Sequence, residues 1–271
     1  MEKWDKCEID YLKNNASSKT FNELMKDLNR SKGSINYKLT DLGLHSKNFV
    51  SIKEVDEDFF KTWTEEMAYI LGYWFADGNI KSGEDKRYTF RISSNDKSIL
   101  EKVQSSMKSK HKIYNRKSTN EYCLSIGNKE IYNDIIKLGG VPKKSLVNEF
   151  PEIPKEYIKH FIRGYFDGDG CITFCGKQKR VPCISFIGTK QFLNKLMNHI
   201  PYRVNKITQR TKNNTYEIKF RSEIAQSILN FMYDKSSIYL DRKYNLYKRC
   251  MEWERKSKPY PNYDKYIKNK I

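Results

Sequence analysis

The chain is expected to fold as an α+β protein, with two pseudo-symmetric αββαββα halves preceded by a small all-α unit of helix-turn-helix type. Three observations predict this. The phrase "GYWFADGNI" at 72–80 returns as "GYFDGDGCI" at 164–172, about 92 residues later. Each copy is followed by the same succession of strand-like and helix-like segments. The first forty or so residues carry short helical periods and no strand alternation.

In residues 5–44, "DKCEIDYLKNN" places Ile9 and Leu12 on one face, and "TFNELMKDLN" spaces Phe21, Leu24, Met25 and Leu28 helically. "SKGSINYKLTDLGL" opens on Ser31, an N-cap type, and stops at Gly43, a C-cap type. The connection "NRSK" is as tight as a helix-turn-helix requires. The third helix would then be the reader, offering Lys32, Ser34, Asn36, Tyr37 and Lys38 to a major groove. A structural three-helix cap with a solvated basic face is the alternative. This unit is assigned 1–46. Residues 47–61 show no sustained period and read as a linker. Thr62 and Glu65, three apart, give a capping-box signature that opens the first half, 62–153. The second half is assigned 154–255, followed by a basic tail, 256–271.

Within the halves, "YTFRISS" and the helix "NDKSILEKVQSSM" correspond to "CISFIG" and "TKQFLNKLMNHI". "NEYCLSIGNKEIYNDIIKLGG" corresponds to "NTYEIKFRSEIAQSILNFMYD", and "VPKKS" to "LDRKY". A period this long implies two halves about a pseudo-two-fold axis, since solenoid repeats run about 20–50 residues.

The repeated phrase reads as a helix with a purpose. Gly72 and Ala76, and likewise Gly164 and Gly168, are four apart, which makes a smooth stripe along which two helix backbones approach closely. Ile70, Leu71, Trp74 and Phe75, and Ile162, Tyr165 and Phe166, would anchor each helix in its own half. Interior glycine costs about 0.5–1 kcal/mol relative to alanine, so matched glycines imply a needed approach. Gly78 and Gly170 suit the left-handed position past a helix end. Asp77 and Asp169 then sit at the negative ends of two helix dipoles, where a carboxylate is disfavoured. Two parallel helices would bring both carboxylates and several carbonyls together, a hard-oxygen set suited to Mg²⁺ and to metal-assisted phosphodiester hydrolysis. Plain Asp-Gly caps explain one copy well and two matched copies poorly.

The charge balance agrees. With 51 Lys and Arg against 33 Asp and Glu, the formal charge is +18, which points to nucleic acid ahead of an anionic membrane. No apolar run approaches the roughly 18 residues of a membrane span, and "MEKWDKCEID" has no signal-peptide core. Cys171, Cys175 and Cys183 lie near one another, but no CxxC pair or nearby His completes a zinc site. Reduced thiols in the cytoplasm or nucleoid are expected instead. Strand alternation turns Tyr88, Phe90 and Ile92 one way and Arg87, Thr89 and Arg91 the other. It likewise presents Lys112, Tyr114 and Arg116, then Lys206, Thr208 and Arg210, then Lys219 and Arg221 opposite Tyr216, Ile218 and Phe220. Such faces suit major-groove readout, and Glu217 is the only acid in these stretches.

"ILGYWFADG" and "IRGYFDGDG" resemble the paired signature of LAGLIDADG homing endonucleases, over roughly residues 60–255. The second is a very specific form of that motif and the first a looser one. The resemblance implies a monomer that cuts both strands of a long double-stranded DNA site with Mg²⁺, leaving short 3′ overhangs, with Mn²⁺ an in vitro substitute and Ca²⁺ a non-catalytic one. It matches Asp77 and Asp169 to the metal-binding acids, with the carbonyls of Ala76 and Gly168 beside them. It also implies a basic residue near the metals from each half, for which Lys144 and Lys243 are the candidates and Lys143 and Arg242 the neighbouring alternatives. The termini "ME" and "KNKI" lack the Cys or Ser start and His-Asn end of an intein, so a free-standing intron- or phage-type enzyme is expected. A non-cleaving DNA-binding regulator and an RNA maturase are the alternatives. Asp167 has no acidic counterpart in the first copy, where Phe75 stands, and is expected to do structural or helix-end work.

Overall fold

The computed structural model describes residues 3–44, 54–82, 88–117, 119–142, 149–176, 180–202, 206–211 and 214–255. The chain divides into two compact units, Met1–Glu54 and Val55–Ile271.

The first unit holds α1 (Lys6–Asn15), α2 (Phe21–Leu28) and α3 (Lys32–Asp41). Each begins on a side chain that accepts an otherwise orphaned backbone N–H: Asp5 and Thr20 form capping boxes with Glu8 and Glu23, and Ser31 accepts from Ser34. Asn29, at φ 50°, turns the chain between α2 and α3. Gly43, at φ 64°, closes α3 as the sequence anticipates, with the Leu44 N–H donating to the Leu39 carbonyl. Leu12, Ala16, Leu24, Ile35 and Leu39 form the core.

The second unit repeats one pattern. Its first half runs α4 (Glu65–Asp77), β1 (Gly78–Ser82), β2 (Tyr88–Ser94), α5 (Lys97–Ser106), β3 (Ile113–Arg116), β4 (Glu121–Gly127) and α6 (Lys129–Lys137). After a 3-10 turn at Lys155–Tyr157 come α7 (Ile158–Asp169), β5 (Cys171–Cys175), β6 (Val181–Gly188), α8 (Lys190–His199), β7 (Thr208–Thr211), β8 (Thr215–Arg221) and α9 (Ser222–Tyr233). A further helix, α10 (Asp241–Met251), follows. The sheets are antiparallel with matching orders, β1-β2-β4-β3 and β5-β6-β8-β7. Both halves are therefore αββαββα, as the repeat predicts.

Register divides the faces. Phe90 pairs with Ile126 and Ile92 with Leu124 on the buried side, while Thr89 meets Gly127 and Arg91 meets Ser125 on the other. In the second sheet, Ile184 and Phe186 pair with Phe220 and Ile218 in the core. One continuous apolar cluster serves both halves. Phe75 carries the first half into the second, with its ring centroid 5.5 Å from Phe161 and 6.4 Å from Phe192.

Three local expectations are corrected. The α4 cap is Thr64, whose side chain accepts from the Met67 N–H; Thr62 takes no part in it. Residues 55–61 are not linker: Phe60 is buried, Val55 and Phe59 pack on the core, and the Asp56 N–H donates to Met107. Gly78 and Gly170 are extended, with φ of −94° and −86°, and do not lie in the left-handed region. Glycine is needed there for space, since a Cβ would sit 2.1 Å from the Trp74 ring or 2.1 Å from the Phe166 ring. The tail 256–271 lies outside the described residues.

Candidate active site at the paired helix ends

α4 and α7 run side by side in the same direction, and their glycines set the distance between them. A Cβ on Gly72 would lie 2.0 Å from the Phe161 carbonyl oxygen, and one on Gly164 would lie 2.0 Å from the Tyr69 carbonyl oxygen. The two contacts are images of each other about the pseudo-two-fold axis. Farther along, a Cβ on Gly168 would lie 2.3 Å from the Ala76 Cβ and 3.3 Å from Asp77 Oδ2. The small-residue stripe thus does what its spacing implies: the helices touch backbone to backbone, side chains excluded.

The approach brings the helix ends together. Asp77 is exposed and Asp169 half-buried. The buried Tyr165 hydroxyl has its pKa pushed well up by burial and then by the charges of both Asp169 and Asp77. Both carboxylates therefore act on one point beneath the site. The donor types suit a hard divalent cation: two carboxylates, with the carbonyls of Ala76 and Gly168 beside them in the chain. Among the described residues no cluster of three His, Cys, Asp or Glu side chains forms, so such an ion would depend on Asp77, Asp169 and backbone oxygens. The thiols are free, and Cys171, Cys175 and Cys183 form no such cluster.

Behind Asp169 lies a polar network that sequence reasoning missed. The Asp167 carboxylate, fully buried, accepts from the Tyr69 hydroxyl at 2.7 Å, the Tyr233 hydroxyl at 2.5 Å and the Leu240 N–H at 2.8 Å. Burial pushes its pKa up against the pull of Lys243 and these donors. One turn earlier, Arg163 is 0% exposed and donates to Ile238, Met232 and Glu65 at 2.9 Å each. It also lies 3.0 Å from His160 Nδ1. Since guanidinium only donates, that nitrogen accepts and the imidazole is neutral. Burial, then Arg163, lower the His160 pKa to about 4. About the pseudo-axis, the Tyr69–Asp167 hydrogen bond corresponds to the Phe161–Phe75 ring contact. The halves share a backbone plan and differ in interface chemistry. The signal in the sequence was a charged Arg163 and Asp167 inside an otherwise apolar helix phrase.

Lys243 does not occupy the place expected of it. It is 2% exposed, and its ammonium donates to the carbonyls of Phe166 at 2.5 Å, Asp167 at 2.8 Å and Gly170 at 2.6 Å. Three protons meet three acceptors, leaving none for a water or a phosphate. Burial lowers its pKa to about 8, with Asp167 pulling it back up. Arg242 is exposed and pairs with Asp96 at 2.7 Å. Lys144, with Lys143, lies outside the described residues.

The outer sheet faces carry the expected basic side chains. Thr89, Arg91 and Arg116 are half-buried, while Lys112 and Tyr114 are exposed; Arg116 lies opposite Glu121. In the second sheet, Lys206, Thr208, Arg210, Lys219 and Arg221 are exposed. Arg210 falls where the β7–β8 register slips between Gln209 and Thr211. Lys219 is engaged by Glu217 at 2.9 Å. Arg87 lies outside the described residues. In the first unit, Lys32, Asn36 and Tyr37 are exposed on α3, Tyr37 by 74%. Ser34 is half-buried, and Lys38 is held by Asp41 at 2.9 Å. No helix among the described residues is long and apolar enough to cross a membrane.

Comparison with known proteins adds the following. A family model described as a LAGLIDADG-like domain matches residues 64–137. A probable translation initiation factor IF-2 of Methanocaldococcus jannaschii is 28% identical over 210 residues, which are 71% of this chain and 17% of that protein. The chain thus spans only a small part of that relative's length. Structural matches include the LAGLIDADG meganuclease I-AabMI bound to uncleaved DNA, 13% identical, covering 68% of this chain and 88% of that one, TM-score 0.48. They also include the LAGLIDADG homing endonuclease I-GzeII in complex with its DNA target, 12% identical, covering 70% and 89%, TM-score 0.48.

Proposed function

We propose that this protein, whose residues 64–137 match a model described as a LAGLIDADG-like domain, is a site-specific endonuclease that hydrolyses both strands of duplex DNA with a divalent metal, Mg²⁺ foremost. The observation that carries this reading is the meeting of Asp77 and Asp169 at the ends of two helices packed backbone to backbone. In an otherwise basic protein, that acidic point has little use except where cations and phosphates meet.

In this reading Asp77 and Asp169, with the carbonyls of Ala76 and Gly168, hold the metal, which would supply Lewis-acid stabilisation of charge on the phosphate oxygens. The protein's own part is placement. The glycine stripe fixes the separation of the carboxylates, and the outer sheet faces bind the duplex. Arg91, Tyr114 and Arg116, and Arg210, Lys219 and Arg221, contact backbone phosphates and base edges. The α3 face of the first unit adds a second DNA contact through Lys32, Asn36 and Tyr37. The chain acts as a monomer, because each motif helix already has its partner within it.

The test is selection from a randomised duplex library, followed by cleavage with Mg²⁺, Mn²⁺ or Ca²⁺. Wild type is expected to cut the selected duplex with Mg²⁺ or Mn²⁺. Asp77→Asn and Asp169→Asn are each expected to abolish double-strand cutting while binding stays within about threefold, since removing a carboxylate beside phosphate does not weaken the positive faces. A selected duplex that survives every metal ends the endonuclease reading.

A further inference from the structure

The geometry points to Lys243 and Asp167 as a positioning pair that braces the turn carrying Asp169 and itself contacts neither metal nor DNA. The proposal rests on the reading of Asp169 as a metal-holding carboxylate.

A helix C-terminus leaves its last carbonyls without partners and bears partial negative charge. At the end of α7 both problems meet one buried cation. The Lys243 ammonium binds the carbonyls of Asp167 and Gly170, which stand on either side of Gly168 and Asp169 in the chain. It also binds the carbonyl of Phe166, which already accepts the Gly170 N–H at 2.8 Å. The two residues between the clamped carbonyls are the ones whose oxygens are needed at the site. Their backbone is pinned at both ends from the protein side, while the Asp169 carboxylate is left half-exposed.

Asp167 completes the brace through its side chain. Tyr69 reaches it from α4 and Tyr233 from α9, and the Leu240 N–H reaches it from just before α10. The Lys243 N–H donates to the Leu240 carbonyl at 3.0 Å, so one short segment both caps Asp167 and delivers the clamping ammonium. Such pinning is stiff because moving the ammonium or the carboxylate would strand buried polar partners, three carbonyls in one case and three donors in the other. At the pseudo-equivalent position on α4 stands Phe75, packed on Phe161, so the carboxylate arm of this brace belongs to the Asp169 side.

Backbone exchange and catalysis together decide the matter in the full-length protein. In Lys243→Met, amide hydrogen exchange at residues 168–171 is expected to speed at least about tenfold, while residues 76–79 and the α5 amides of Ile99 to Val103 stay within about twofold. With Mg²⁺ and the selected duplex, kcat is expected to fall at least about tenfold with KM within about twofold, and the pH dependence of kcat keeps its shape. Asp167→Asn, close to isosteric, should show the same local loosening to a smaller degree. Lost cleavage with unchanged exchange at 168–171 would overturn the proposal and return Lys243 to direct chemistry. Equal acceleration at 168–171 and in α5 would overturn it too, as would unchanged exchange with unchanged cleavage. If wild type cuts under no metal, the endonuclease reading fails by itself, and the exchange measurement still judges the brace.

Discussion

Replacing Gly72 with alanine would place a methyl carbon 2.0 Å from the Phe161 carbonyl oxygen, 2.9 Å from its carbon and 2.9 Å from the Tyr165 nitrogen. All three are backbone atoms, so no change of rotamer relieves them. Bringing the closest contact out to 3.0 Å requires α4 and α7 to separate by about 1 Å. Overpacking costs about 1–3 kcal/mol, and a clash with backbone belongs at or above the upper end. The better helix propensity of alanine returns about 0.5–1 kcal/mol. The net expectation is a loss of about 2 kcal/mol or more from the second unit, read by urea titration of aromatic fluorescence. Because the same shift moves Asp77 relative to Asp169, cleavage should drop about 100-fold. Gly164→Ala should behave alike, since the contact is its pseudo-symmetric image. Gly33→Ala is the control: nothing lies within 4 Å of the added carbon in α3, and the first unit should gain up to about 0.5–1 kcal/mol. If Gly72→Ala leaves stability within about 0.5 kcal/mol and cleavage intact, the close-approach argument is wrong.

Three further outcomes are expected. Tyr69→Phe removes a hydrogen bond to the buried Asp167 carboxylate and should cost about 1.5–3 kcal/mol by chemical denaturation; a loss below about 0.5 kcal/mol would mean that Tyr233 and Leu240 alone satisfy Asp167. Arg163→Met leaves Glu65 without its buried partner and should destabilise by about 3–5 kcal/mol, unless a thermal scan shows no shift. His160 gives a pH signature. Its folded pKa, about 4, lies below the ordinary value of 6.5, so the unfolded chain takes up a proton first and stability falls as pH drops from 6.5 towards 4. The His160 share of that slope is at most about 1.4 kcal/mol per pH unit. Arg163 and Lys159 oppose protonation there, and Glu65 and Glu66 favour it. His160→Gln, which keeps an acceptor for Arg163, should flatten the window. An unchanged slope would assign the acid sensitivity to the carboxylates.

Legibility in the sequence followed the range of the physics. The αββαββα order could be read because strand alternation and helical spacing are local, and because the chain writes them twice. The close pairing of α4 and α7 could be read because glycine at 72, 164 and 168 costs helix stability and so marks a steric need. The α4 cap was misplaced by two residues, since Thr62 and Thr64 both suit an N-cap by type and only backbone geometry separates them. Gly78 and Gly170 were rightly marked as necessary and wrongly explained. Their neighbours Trp74 and Phe166, folded back over the turn, demand the missing Cβ, and ring placement is not written in spacing.

Lys243 marks the boundary most clearly. Sequence by itself determined that a basic residue opens the last segment and that Asp77 and Asp169 end matched helices, because identity and repetition carry that much. Whether the lysine faces solvent, phosphate or protein depended on where α10 docks, and only the tertiary structure decided that. Its ammonium is 77, 76 and 73 residues away along the chain from the three carbonyls it holds. The Tyr69–Asp167 bond spans 98 residues. Such pairings form because a buried helix end must find donors and a buried carboxylate must find protons. That necessity is general, whereas the partner that meets it is set by packing in three dimensions.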